Sequence, residues 1–90
     1  MTTNIIYNGW TNRATWLVKL WIDNEQAMYF YWQDEAQNAD SSNQLAKDIE
    51  RYYQDNSPQC SGLFSDLLNT ILADVNWHEI AKSLINDSQE

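Results

Sequence analysis

Apolar residues recur at helical spacing along most of this chain, and polar segments divide the pattern into five parts. The last part places five apolar residues at i, i+3, i+4, i+7 and i+8, the spacing of one helix face: Trp77, Ile80, Ala81, Leu84 and Ile85. Residues that break helices are scarce, with two glycines and one proline in 90 residues. We therefore predict an all-α fold, a compact bundle of four to five short helices in one domain over residues 1–90.

Residues with capping character mark where the predicted helices begin. Thr11 is the expected N-cap of the first helix. Ser41 with Gln44, and Asn76 with Glu79, have capping-box spacing ahead of the third and fifth helices. The predicted segments, in chain order, are an extended arm over 1–10, helices over about 12–24, 25–38, 41–53, 62–73 and 76–86, and a frayed tail over 87–90.

The first predicted helix is apolar around most of its circumference. Its polar side is limited to Arg13, Thr15, Lys19 and Asp23. The apolar part is therefore much wider than the stripe of about 100° that is typical of a surface helix. Such a helix is either central in the bundle or shared with a second molecule, so a homodimer is one expectation for this chain.

Aromatic residues make up 13% of the chain. We interpret five of them as core residues, because buried aromatic side chains dominate the energetics of small cores: Trp16, Trp21, Tyr31, Trp32 and Trp77. Two others are candidate contacts with a partner. Trp10 lies in a turn ahead of the first helix, where it either packs on the helix start or projects as a docking residue. Phe30 falls among the polar residues of the second helix, which indicates either a partner contact or a helical register that differs from the assumed one.

Thirteen acidic and five basic residues give the chain a formal net charge of −8. A surface this negative repels DNA, RNA and anionic membranes. We therefore expect neither nucleic acid nor a membrane as a direct partner, and the charge favours basic partners or simply solubility. The single cysteine, Cys60, cannot form an internal disulfide, and the sequence has no signal-peptide pattern. The expected location is the cytoplasm.

The residues that carry out catalysis or hold metals do not form a recognisable set. His78-Glu79 begins like a zinc-protease helix, but Lys82 stands where the second histidine is required. Cys60 has no basic neighbour in sequence that would stabilise a thiolate. We therefore expect a protein that is not an enzyme and that holds no metal or cofactor.

The opening of the chain resembles a family of small acidic proteins encoded by phages, plasmids and some bacterial genomes. Those proteins share an Asn-Gly-Trp-x-Asn-x-x-Thr-Trp opening and a following Trp-hydrophobic-Asp-Asn segment. The matching parts of this chain are Asn8-Gly9-Trp10-Thr11-Asn12, Thr15-Trp16 and Leu20-Trp21-Ile22-Asp23-Asn24-Glu25, with a weaker echo over 75–81. The resemblance implies interference with host defence, of an anti-CRISPR or antirestriction type, inside a bacterial host cell, and it implies no catalytic residue.

Two functional hypotheses follow. In the first, the protein is a nucleic-acid mimic that binds a basic host protein or complex, such as a CRISPR effector or restriction enzyme, and occludes its nucleic-acid-binding surface. Six residues on or near the first three helices would supply the anionic contacts: Asp23, Glu25, Asp34, Glu35, Asp48 and Glu50. In the second, it is a regulatory interaction module, antitoxin-like or active in host takeover, that binds one host enzyme through its Trp-rich face, with Trp10 and Phe30 as contacts.

Overall fold

The computed structural model of the chain describes residues 9–88. These residues form five helices: α1 (Arg13–Asn24), α2 (Gln26–Asn38), α3 (Ser42–Asp55), α4 (Leu63–Asp74) and α5 (Trp77–Ser88). The all-α prediction is confirmed, and each predicted helix ends within two residues of the observed one. The tail prediction is wrong for Asp87 and Ser88, which belong to α5, while residues 89–90 and residues 1–8 of the predicted arm lie outside the described residues.

The core forms where α5 packs on α3 and α2, and α1 packs on α2 and α5. The predicted apolar face of α5 is confirmed, because Trp77, Ile80, Ala81 and Leu84 are all buried. The other apolar members of the core, in chain order, are Ile22, Trp32, Ala36, Leu45, Ala46, Ile49 and Val75. Among the helices of residues 9–88, none combines the length and the apolar character needed to cross a membrane.

The helix starts show which predicted caps form. The Ser41 hydroxyl accepts a hydrogen bond from the backbone N–H of Gln44 at 3.1 Å, and the Asn76 side chain accepts one from the N–H of Glu79 at 3.1 Å. In a complete capping box the Glu79 carboxylate would accept a hydrogen bond from the backbone N–H of Asn76. Here it accepts one from the backbone N–H of Thr11 at 3.1 Å. That contact ties α5 to the segment ahead of α1.

The N-cap of α1 is Asn12, so the expectation of Thr11 is wrong by one residue. The Asn12 side-chain oxygen accepts from the N–H of Thr15 at 2.9 Å and from its hydroxyl at 2.6 Å. Its amide donates to the Asp74 carbonyl at 2.8 Å, and the buried Thr15 hydroxyl accepts from the N–H of Asn76 at 2.8 Å. Asn12 and Thr15, both part of the opening motif, therefore fasten the start of α1 to the connection between α4 and α5.

Helix α1 departs from the usual arrangement of a surface helix, because it buries two polar side chains and leaves three large apolar ones exposed. Its buried residues are Thr15, Lys19 and Ile22, whereas Leu17, Leu20 and Trp21 are exposed. The interpretation of Trp21 as a core residue is therefore wrong. Thr15 and Lys19 of the expected polar side turn inward, where they find hydrogen-bond and ion-pair partners, while Arg13 and Asp23 remain exposed.

Helix α4 differs from the other helices in having no buried residue. It packs on α1, and only Leu68 and Leu72 of its apolar residues are partly covered. The remaining apolar side chains of its predicted stripe are at least half exposed: Leu63, Phe64, Leu67 and Ile71. The helix predicted from this apolar stripe is confirmed, but most of the stripe faces solvent.

Candidate partner-binding site

An aromatic cluster between α2 and α3 lines a groove on the surface. Trp32 of α2 is buried, and its ring meets Tyr52 of α3 edge-on with ring centroids 5.6 Å apart. Tyr31 meets Trp32 edge-on at 4.8 Å and lies 6.4 Å from Tyr52. Consecutive residues of a helix project about 100° apart, so Trp32 is buried while Tyr31 is exposed, which corrects the core interpretation of Tyr31. The three rings therefore connect α2 and α3 along the groove, and both helices pack on α5.

Four charged side chains line the same groove, whose volume is about 260 Å³. Glu35 comes from α2, and Asp48, Arg51 and Asp55 come from α3. Three carboxylates against one guanidinium leave the groove negative. Within residues 9–88 none of these four forms an ion pair, since both ion pairs there are made by Lys19. The groove therefore suits a cationic side chain of a partner, because carboxylates and aromatic faces both attract Arg and Lys.

Tyr53 extends the aromatic cluster from α3 to α5. Its ring stacks on Trp77 at 6.0 Å and meets Tyr52 edge-on at 5.0 Å. Burial raises the pKa of Tyr53 above its usual value of 10.0; the Trp32 side chain opposes this in part, and Tyr52 and Glu25 raise the pKa further. The folded protein therefore holds this phenol proton more tightly than the unfolded chain does.

The raised pKa of Tyr53 predicts a loss of stability in alkali. Its contribution to folding is complete below pH 10.0 and is lost as the pH rises above 10.0, because the unfolded chain then releases the proton first. Tyr53→Phe keeps the ring stacking and should flatten this decline, measured by denaturant unfolding at a series of pH values from about 8 to 11. An equally steep decline in both proteins would contradict the assignment.

The groove brings together two of the six predicted acidic contacts, Glu35 and Asp48. Asp23 lies elsewhere and already has a partner within the protein. Its carboxylate oxygens accept hydrogen bonds from the Lys19 ammonium at 2.7 and 2.9 Å, and Asp87 lies 3.8 Å from the same ammonium. Asp23 therefore compensates a buried lysine.

The other three predicted acids stand apart from the groove. Glu25 connects α1 to α2, and its backbone caps both helices. Asp34 is exposed on α2. Glu50 lines a different depression together with Lys47, and its carboxylate accepts a hydrogen bond from the Gln54 amide at 3.3 Å. The six acids are thus spread over several faces of the bundle.

The two predicted aromatic contacts have different environments. Trp10 is partly buried and packs against the core, beside Glu79 and Lys82. Phe30 is 59% exposed, and its ring meets that of Tyr29 edge-on at 5.7 Å. Phe30 is therefore available to a partner, whereas a change at Trp10 would also disturb the packing of α5.

Comparison with known proteins places the chain in a family. A family model matches residues 3–89, nearly the whole sequence. The chain belongs to DUF7249, a family of unknown function. No curated protein and no solved structure matches it.

In this DUF7249 member, sequence reasoning missed two of the four charged residues of the groove, Arg51 and Asp55. A signal was present, because Asp48, Arg51, Tyr52 and Asp55 stand at i, i+3, i+4 and i+7 and therefore share one face of α3. The facing position of Glu35 on α2 depends on how the two helices pack.

His78 and Cys60, the candidates for metal binding and nucleophilic chemistry in this DUF7249 chain, each have a hydrogen-bond partner within the protein. His78 is exposed, and its Nε2 lies 2.8 Å from the Ser42 hydroxyl at the start of α3. Cys60 is exposed, and its thiol donates to the Pro58 carbonyl at 3.4 Å. In the part of the chain that the structure describes, no three residues of His, Cys, Asp or Glu are grouped to hold a metal ion.

Proposed function

We propose that this protein is a non-catalytic acidic inhibitor that binds a basic nucleic-acid-binding protein of a bacterial host and occludes the surface that holds DNA or RNA. The observation that carries the proposal is the groove between α2 and α3. It combines aromatic rings with Glu35, Asp48 and Asp55, and one Arg51 opposes these three carboxylates. An Arg or Lys that normally contacts a phosphate would enter this groove and pair with the carboxylates.

The charge of the whole chain supports the same mode of action. The net charge is −8, and in residues 9–88 the carboxylates in ion pairs are those of Asp23 and Asp87. The other acids there keep their full field toward solvent, which steers a basic partner toward the protein. The opening motif and its resemblance to phage and plasmid proteins support a target among CRISPR effectors and restriction enzymes, with the host cytoplasm as the place of action.

The test is inhibition of target-DNA binding by a purified CRISPR effector or restriction enzyme. A mobility-shift titration with the wild-type protein should show displacement that weakens as salt is raised. Glu35→Gln with Asp48→Asn should raise the inhibitor concentration needed by about tenfold or more, because both substitutions remove charge from the groove while keeping side-chain shape.

A matched control separates the groove from net charge. Asp40→Asn with Asp74→Asn removes the same two charges from exposed positions outside the groove. This variant should inhibit within about threefold of wild type, since exposed charges contribute little individually. Equal losses in the two variants would reduce the mechanism to net charge, and no displacement from any effector tested would overturn the proposed function.

A second candidate function is a regulatory interaction module that binds one host enzyme through aromatic side chains. It is favoured by the exposure of Trp21, Phe30 and Tyr31. This mode predicts complex formation that changes little with salt and falls when Phe30 is replaced by Ala. The acidic inhibitor predicts complex formation that weakens with salt and changes little when Phe30 is replaced by Ala. A salt series on the wild-type protein and on Phe30→Ala therefore distinguishes the two functions.

A further inference from the structure

We propose that α1 and α4 form the contact surface of a homodimer, with a second copy of this chain as the occupant. The surface consists of the exposed apolar stripes of both helices, which we call the α1–α4 face: Leu17, Leu20, Trp21, Leu63, Phe64, Leu67 and Ile71. The two helices pack against each other, and the Asn12 amide joins their ends through the Asp74 carbonyl. The groove between α2 and α3 is lined by other residues.

The distribution of burial indicates that this face lacks a partner in the monomer. Helix α4 has no buried residue, and Leu63 and Phe64 are each 68% exposed. Helix α1 turns Thr15 and Lys19 inward and leaves Trp21 64% exposed. An apolar surface that remains exposed while polar side chains are buried is typical of a protein–protein interface.

The size of the α1–α4 face agrees with what a stable dimer requires. A large aromatic side chain buries about 150–250 Å². Two aromatic and five aliphatic side chains at the observed exposures therefore present on the order of 700 Å² per copy. A standard interface takes about 800 Å² from each partner, and the largest apolar patch of an ordinary monomer is about 300–600 Å².

The charges near the face permit contact between two identical acidic molecules. Arg13 precedes Leu17 by one helical turn, and α4 carries two acids near its stripe: Asp66 directly before Leu67, and Asp74 three residues after Ile71. Asp23 of α1 is paired with Lys19. Most of the net charge of −8 therefore lies away from the face. In a two-fold dimer each copy contributes the same surface, so Arg13 of one copy can approach an acid of the other.

Sedimentation of the full chain over a concentration series tests the proposal. The wild-type protein should sediment as a dimer at high concentration and dissociate on dilution. Phe64→Glu should weaken the dimer by about tenfold or more, because it replaces one of the two most exposed apolar side chains of α4 with a charge. Phe64 is the second residue of α4, where a carboxylate suits the helix dipole, so the helix itself should persist.

Phe30→Glu is the matched control. It introduces the same charge at an exposed phenylalanine on α2, 59% exposed, outside the α1–α4 face, and should leave the dimer unchanged. Equal weakening by both variants would assign the effect to net charge and overturn the proposal. A wild-type chain that stays monomeric up to about 1 mM would also overturn the proposal. The dimer would be ruled out by that result even if Phe64→Glu abolished the binding of a different protein.

Discussion

Trp32→Ala should lower the free energy of unfolding by about 3–5 kcal/mol, the range for removing a large aromatic side chain from a core. Trp32 is 1% exposed and contacts the rings of Tyr31 and Tyr52. Its loss would leave a cavity between α2 and α3 and remove the shared contact of those rings. A loss of this size is a large part of the stability of a small domain. Urea denaturation followed by circular dichroism measures it.

Phe30→Ala is the matched control for Trp32→Ala, because it removes an aromatic side chain from the same helix two residues earlier. Phe30 is mostly exposed, so the change should stay within about 0.5 kcal/mol. Trp32→Phe should cost less than Trp32→Ala, since an aromatic ring still fills most of the buried site. Similar losses for Trp32→Ala and Phe30→Ala would show that α2 does not pack as described.

The parts of the fold that local sequence determines were predictable. The cap at Ser41 and the apolar spacing of α5 are set by residues within one or two turns, and both are confirmed. Thr11 and Asn12 both have good N-capping side chains, so the sequence alone does not decide which of them begins α1. Asn12 makes the local cap bond with Thr15, and its amide also donates to the carbonyl of Asp74, 62 residues away, a contact that only the folded chain provides.

Side-chain direction in α1 and α4 was not predictable from spacing. A helix that is apolar on most sides gives no unique inward face. The inward turn of Lys19 depends on Asp23 and on Asp87 of α5, and the exposure of Phe64 depends on how little of α4 meets the rest of the bundle. Those are tertiary facts that appear only when the helices are assembled.

The same limit applied to the candidate site. The net charge indicated a basic partner, but it did not indicate which acids share a surface. Glu35 and Asp48 are thirteen positions apart and line one groove because α2 and α3 both pack on α5 and the rings of Trp32 and Tyr52 meet between them. Asp23, chosen for its place on the first helix, is within hydrogen-bond distance of a buried ammonium, so its contribution to folding can be separated from a contribution to binding.

Asp23→Asn should lower the free energy of unfolding by about 1–2 kcal/mol, because it leaves a buried ammonium with weaker compensation. The Lys19 side chain is 7% exposed, and its nearest remaining acid, Asp87, is 3.8 Å away. The Asp23 side chain is partly exposed, which keeps the effect at the lower end of that for buried pairs. Asp34→Asn, the same change at an exposed position of α2, should stay within about 0.5 kcal/mol.

Lys19→Met provides the decisive comparison, because it removes the charge and keeps a chain of similar length. Its cost should be below about 1 kcal/mol, since the buried ammonium no longer requires a partner. In the Lys19→Met background, Asp23→Asn should cost almost nothing, giving a coupling free energy of about 1 kcal/mol in a double-mutant cycle. Additive losses would mean that the two side chains act independently. Asp23 would then be free to contact a partner, as its position in the sequence first indicated.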